Sequence, residues 1–301
     1  MRFLITTALS ALVLLPLGAM ADLQVFNCEP EWASLVKELT GDHAEVFAAT
    51  TAQQDPHHIQ ARPSLIARMR RADLVVCTGA ELEIGWLPVL LRRAGNPRVQ
   101  PGGDGYFEAA NYVPMLEVPV RLDRAEGDVH PKGNPHIQLD PHNIARVAPA
   151  LSQRLAKLDP AHAEDYHQRL ADFTRRWQAA MQRWEKEAEP LRGMPIVVHH
   201  KSWAYLNQWL GLKEVGALEP KPGVPPTSGH LAELLETLKA TPAKAVIRAP
   251  FQDERPSEWL SKHDPGLMVV EMPFTVGGNA QATDLFGLFD SSIVLLLGAN
   301  K

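Results

Sequence analysis

The chain has 301 residues, 45% of them hydrophobic. That length and composition support one large domain or two ordinary ones, and they exclude a globally disordered chain. The formal net charge of −5 argues against a nucleic-acid partner, because phosphate contacts need concentrated Lys and Arg. The 12 histidines, against only two cysteines, direct attention to imidazole chemistry.

The first residues read as a secretory signal. Arg2 supplies the positive start, residues 3–17 the apolar run, and Ala19-Met20-Ala21 the small-x-small cleavage pattern, so residues 1–21 are expected to be removed and Asp22 to begin the mature chain. The apolar run is too short for a comfortable membrane span, and no cysteine follows the cleavage site to carry a lipid. The mature protein is expected to be soluble and periplasmic, and loss of Arg2 takes its formal charge to about −6. In that oxidising compartment Cys28 and Cys77, each after a short apolar run, are expected to pair as a disulfide. The alternative is two free, partly buried thiols.

Residues 23–26 read as a buried strand, 31–39 as a helix stopped by Gly41, and 44–48 as a second strand. A loop with His57-His58 follows. Pro63 and Ser64 open a helix to Arg71, 72–77 reads as a third strand and 81–92 as another helix. The apolar strands are continuous rather than alternating, which predicts a parallel sheet covered on both faces. The segment 96–134 is richer in Gly, Pro and charge. It contains one expected strand, 113–118, and a polar loop, 123–133.

His136 comes next, stiffened by Pro135. Asp140-Pro141 then forms a helix start, an acidic N-cap with proline at the first helical position. A helix is expected over 143–158, and Asp159-Pro160 repeats the start. The longest helical pattern covers 161–189. Leu170, Phe173, Trp177, Met181 and Trp184 fall on one of its faces, which suits either a helix lying along two packed bodies or one member of an ordinary helix pair. After Pro190 and Pro195 the alternation restarts: strand 196–198, helix 203–210, strand 215–218, a helix capped by Thr227 or Ser228 and running to Lys239, strands 245–248 and 268–271, and a closing helix over 282–297. The boundaries that follow are an N-terminal α/β lobe over 22–159, a linking helix over 160–190 and a C-terminal α/β lobe over 191–301.

Four places stand out: His57-His58, His136, His199-His200 and Asp284. Ligands in open α/β sheets gather outside the carboxyl ends of strands, so all four could face one cleft. Three imidazoles and a carboxylate make a complete tetrahedral set for zinc. Position alone leaves other readings open. Asp284 could serve the helix dipole, His58 and His199 read as neighbours of ligands, and His130, His142, His162, His167, His230 and His263 read as solvated.

Asp55-Pro-His57, Gly133-Asn-Pro-His136 with Leu139-Asp-Pro, Val197-Val-His-His200 with Trp203 and Tyr205, and Thr275-Val-Gly-Gly278 with Asp284 occur in this order. They resemble the metal-binding solute-binding proteins of ABC transporters, the ZnuA-like zinc and manganese receptors, over essentially the whole mature chain. The resemblance implies two Rossmann-like α/β lobes with parallel sheets joined by a long rigid helix, with the metal in the cleft between them. It implies His57, His136, His200 and Asp284 as the ligands. It also implies transport rather than catalysis, with a membrane permease as partner, a periplasmic metallochaperone as a further possible donor, and a monomer.

Zinc receptors of this kind often carry a long His-rich acidic loop. The matching segment here, 121–132, has only Asp128 and His130. Manganese receptors tend to have a carboxylate where this chain has His200. A nitrogen-rich set favours Zn²⁺ over Mn²⁺, which binds more weakly in the usual divalent order. The competing class is a secreted zinc hydrolase, with Asp284 or Glu219 as base beside a metal-bound water.

Overall fold

The structure is a computed structural model and describes residues 22–121, 127 and 129–301. The expected signal segment and Asp128 lie outside the described residues.

Two four-stranded sheets, both wholly parallel, form the frame. The first uses β1 (Leu23–Asn27), β2 (Ala44–Ala48), β3 (Leu74–Cys77) and β4 (Tyr106–Glu108) in the order β2-β1-β3-β4. The second uses β5 (Pro195–Val198), β6 (Lys213–Ala217), β7 (Ala245–Arg248) and β8 (Met268–Glu271) in the order β6-β5-β7-β8. The topology is therefore the same twice. Every strand of β3, β5 and β7 is buried or nearly so, as expected where helices cover both faces.

The crossovers of the first sheet are α1 (Pro30–Thr40), α2 (Pro63–Arg71) and α3 (Leu87–Ala94). Those of the second are α6 (Ala204–Leu210), α7 (Ser228–Ala240) and α8 (Arg255–His263). Between the sheets run α4 (Pro141–Leu158) and α5 (Ala163–Glu187), and α9 (Leu285–Ala299) closes the chain. Each sheet changes winding direction between its two central strands, β1 and β3 or β5 and β7. That is where a ligand crevice forms at the carboxyl ends.

Helix α5 ties the halves together. Phe173, Trp177 and Trp184 are buried on one face, and Trp177 stacks edge-on against Phe286 and Phe289 of α9. The Trp177 indole N–H donates to the carbonyl of Pro141 at 2.9 Å. One apolar cluster runs without a break from β1 and β3 through this helix to β5 and β7, so the two sheets share a core along α5. This supports the first of the two readings of its aromatic face.

Three expectations are corrected. Residues 113–118 form no strand. Pro114 removes a ladder donor, Glu117 takes a left-handed φ of 53°, and the fourth strand is instead Tyr106–Glu108. The helix expected over 81–92 begins only at Leu87, because Ala80 and Glu81 both have positive φ and cannot continue a right-handed helix. Helix α8 was not expected at all; its polar, nine-residue sequence has a weak apolar stripe. The expected caps at Asp140 and Thr227 are present, accepting from the His142 and His230 amides. Cys28 and Cys77 are joined by a disulfide at the ends of β1 and β3.

Candidate metal centre

His57 follows β2 in a short turn. The Asp55 carboxylate accepts both the His57 backbone N–H, at 3.0 Å, and the ring Nδ1–H, at 2.7 Å. One aspartate thus fixes the turn and the ring together. Burial pushes the Asp55 carboxyl upward, but the hydrogen bond and charge of His57 outweigh it and hold the pKa below the usual value. With Nδ1 donating, the free lone pair of a neutral imidazole sits on Nε2, and His57 Nε2 is buried without a hydrogen-bond partner.

His136 sits one residue after Pro135, before the short 3-10 turn Ile137–Leu139. Its approach is held by the Asn134 side chain, whose Oδ1 accepts the His136 amide at 3.1 Å. Gly133 makes the entry possible. Its φ is +103°, and a Cβ there would stand 2.6 Å from the Leu116 carbonyl oxygen, so only glycine fits. His136 is 1% exposed, and its Nδ1 is buried without a hydrogen-bond partner. Burial first, then the charges of His57, His200 and His130, hold its pKa well below the imidazole range. A ring that stays neutral is a ring that can offer a lone pair.

His200 lies just past β5, at the carboxyl edge of the second sheet. Its Nδ1 donates to the Glu219 carboxylate at 2.6 Å, and the same oxygen accepts the Gly223 amide at 2.9 Å. Two of the three rings are therefore oriented by carboxylates in the manner of histidines that ligate metals.

The three rings meet. One donor atom from each of His57, His136 and His200 lies within 4.8 Å of the others, and the ring centroids are 5.3 to 5.9 Å apart. Phe274 packs edge-on against His136 at 5.2 Å and helps wall a cavity of about 350 Å³ whose lining includes the three rings, Asp55, His199 and Glu219. His199 is 4% exposed and belongs to the wall, and His58 is an exposed neighbour on its rim.

Asp284 is not part of this gathering. It is exposed, it caps α9, and its Oδ1 accepts the Gly287 amide at 2.8 Å. Its carboxylate is neither among the clustered donors nor in the cavity wall. The histidine that does come close is His130, which reads as solvated in the sequence. Its ring centroid is 5.3 Å from that of His57, and with His136 and His200 it lines a second cavity of about 100 Å³.

Sequence reasoning missed the carboxylates' role. Asp55, two residues before His57, carried a readable Asx-turn signal. Glu219, 19 residues beyond His200, carried none. Of the other histidines, His142 and His162 are bound to neighbouring carboxylates, Asp140 and Asp159. His230 and His263 reach the backbone carbonyls of Ala217 and Trp259.

Comparison with known proteins places this geometry. Residues 25–292 match the family model of the zinc-uptake complex component A, periplasmic (ZnuA). The manganese ABC transporter substrate-binding lipoprotein PsaA of Streptococcus pneumoniae is 24% identical over 262 residues, which is 84% of this chain and 80% of that one. The iron ABC transporter substrate-binding lipoprotein MtsA of Streptococcus pyogenes serotype M1 is 22% identical, covering 81% and 76%. Among solved structures, a crystal structure of ZnuA superposes with a TM-score of 0.77 at 21% identity, over 93% of this chain and 100% of that one.

Proposed function

This chain belongs to the ZnuA family of periplasmic zinc-uptake components, and we propose that it is the zinc receptor of an ABC transporter, holding Zn²⁺ on His57, His136 and His200. The family consists of substrate-binding proteins, not enzymes, and its members carry a divalent metal to a membrane permease. The single observation that carries the reading is the meeting of three imidazoles from three separate segments, two of them backed by carboxylates. Backing of this kind costs conformational freedom and serves a ligand.

The choice of zinc rests on donor chemistry. Relatives are named for manganese and for iron as well as zinc, so family membership alone does not select the ion. The clustered donors are all nitrogen, which suits zinc better than the harder, carboxylate-preferring manganese. We propose Asp284 as the fourth donor, arriving by movement of the turn that precedes α9. The move gives up its cap to Gly287, at a cost of roughly 1 kcal/mol, small beside a metal bond. A filled four-ligand shell leaves no position for a hydrolytic water. Glu219, the other base of the hydrolase alternative, is committed to His200 and Gly223.

We read residues 22–159 and 191–301 as the two lobes and 160–190 as the linking helix, with the shared core along α5 limiting hinge motion to small loop or lobe shifts. Export to the periplasm by a cleavable signal at 1–21, a monomeric state and supply by a metallochaperone belong to the same reading. The test is titration of metal-free mature protein with Zn²⁺ by calorimetry. One equivalent should bind, and His136→Ala should bind at least roughly a hundredfold more weakly while retaining the parent's circular dichroism. Unchanged affinity in that variant would remove His136 from the site.

A further inference from the structure

Asn134 engages every hydrogen-bonding group it has. Its backbone N–H donates to the Leu116 carbonyl at 2.8 Å, and its carbonyl accepts the Tyr205 hydroxyl at 2.9 Å. Its side-chain Oδ1 accepts the His136 amide at 3.1 Å. Its Nδ2 donates to the Glu117 carboxylate at 2.8 Å and to the Lys201 carbonyl at 2.9 Å. Lys201 directly follows His200. The side chain of this residue, which is 8% exposed, therefore joins the segment entering α4 to the segment leaving β5, and each of those segments carries a clustered histidine.

We propose that Asn134 is a positioning residue that pins His136 to His200 across the two halves of the chain, holding both rings in place before an ion arrives and slowing its release. The inference rests on the receptor reading above. Asp55 and Glu219 each orient a single ring. Asn134 instead fixes where two ligand-bearing segments stand relative to each other. Two neighbours are built around it. Tyr205, buried on α6, accepts the Leu116 amide at 3.0 Å on the same hydroxyl that donates to Asn134. Glu117 takes a left-handed φ of 53°, a costly backbone for a non-glycine residue, and from there its carboxylate meets the Asn134 side-chain amide.

At this reach an asparagine suits all of these bonds. Its planar amide has an acceptor on one side and two hydrogens on the other. An aspartate would keep the bond to His136 but turn an acceptor toward the Lys201 carbonyl and the Glu117 carboxylate, so the link between the segments would give way to repulsion. Asn134→Asp thus separates the local bond from the crossing one. A fully satisfied buried polar network specifies one arrangement. Holding groups in their bound arrangement beforehand raises affinity, and differences of that kind show mostly in the release rate.

The test uses the full mature chain, loaded either with Zn²⁺ and mixed with an excess of chromophoric chelator in a stopped-flow cell, or with Co²⁺ and read by its visible spectrum. Asn134→Asp should release zinc roughly tenfold or more faster than the parent. It should also shift and weaken the cobalt d–d band, because two of the ligands no longer stand together. Tyr205→Phe, which removes only the hydroxyl, should speed release about fivefold, the weight of one buried hydrogen bond, and it decides the matter if Asn134→Asp does not fold. A purely structural role would lower the urea midpoint of the metal-free variants and leave the release rate and cobalt band of the folded, loaded chain as in the parent. That result would overturn the inference and leave the receptor reading standing. A parent that takes up neither ion would overturn the receptor reading and the inference together.

Discussion

Glu219 offers a sharp test of how the proposed centre is built, because it would reach a bound ion only through His200. Its Oε2 accepts both the His200 Nδ1–H, at 2.6 Å, and the Gly223 amide, at 2.9 Å. The short first bond is charge-assisted and fixes the tautomer that leaves Nε2 free. In Glu219→Gln the amide oxygen can take over both bonds, but the charge is lost. In Glu219→Ala both bonds go, and the His200 ring is free to turn. Loss of such a partner typically costs 10- to 100-fold in metal affinity, so we expect about tenfold for Gln and about a hundredfold for Ala, or ~1.4 and ~2.7 kcal/mol. Competition against a chromophoric chelator at fixed pH measures both. Stability should fall by no more than about 1 kcal/mol for Gln, which keeps both bonds, and by roughly 2–3 kcal/mol for Ala, which loses both. Equal affinities for the parent and both variants would refute the idea that the carboxylate sets the ring. A loss matched by collapse of the fold would assign Glu219 to structure instead.

Other outcomes follow from the same geometry. Asp284→Ala should weaken zinc binding by at least about tenfold if the α9 cap swings in as the fourth donor. If His130→Ala shows that loss and Asp284→Ala does not, the nearer imidazole fills the position instead. The interior also predicts a pH dependence. Glu31 is 1% exposed and accepts from the Thr275 hydroxyl, and burial raises its pKa from 4.5 to about 7. The folded chain therefore binds a proton there that the unfolded chain releases above pH 4.5, so this carboxyl makes stability fall as pH rises from about 4.5 through about 7. The fall amounts to ~3 kcal/mol. Urea unfolding of metal-free protein from pH 5 to 8 should show a fall to which the buried Glu29 and Glu83, also raised by burial, contribute, and Glu31→Gln should make the slope shallower by its own share; an unchanged slope in that variant would refute the assignment.

Every strand but β4 was legible as a short apolar run bounded by turn residues, and β2, β7 and β8 fall at the residues expected. Helix α5 was legible from its aromatic spacing. The exceptions have local physical causes. Left-handed residues at Ala80 and Glu81 delay α3, and apolarity alone could not distinguish the irregular segment around Pro114 from a strand. At the centre, three histidines could be found from their places after strands and before a helix start. Their convergence could not, because it depends on how two sheets pack across α5. The same limit explains Asp284. A carboxylate at a helix start reads equally as ligand or cap, and in the structure it is the cap. His130 looked solvated because its segment is polar, and only tertiary structure brings it against His57.

The central claim is that one zinc ion sits among His57, His136 and His200. A crystal of the zinc-loaded chain, with data on both sides of the zinc absorption edge, tests it most directly. The account predicts one anomalous peak in the cavity, with imidazole nitrogens of all three residues at about 2.0–2.1 Å and an Asp284 oxygen at about 2.0–2.2 Å. A peak lying elsewhere, or bonded to fewer than three of these histidines, would contradict it.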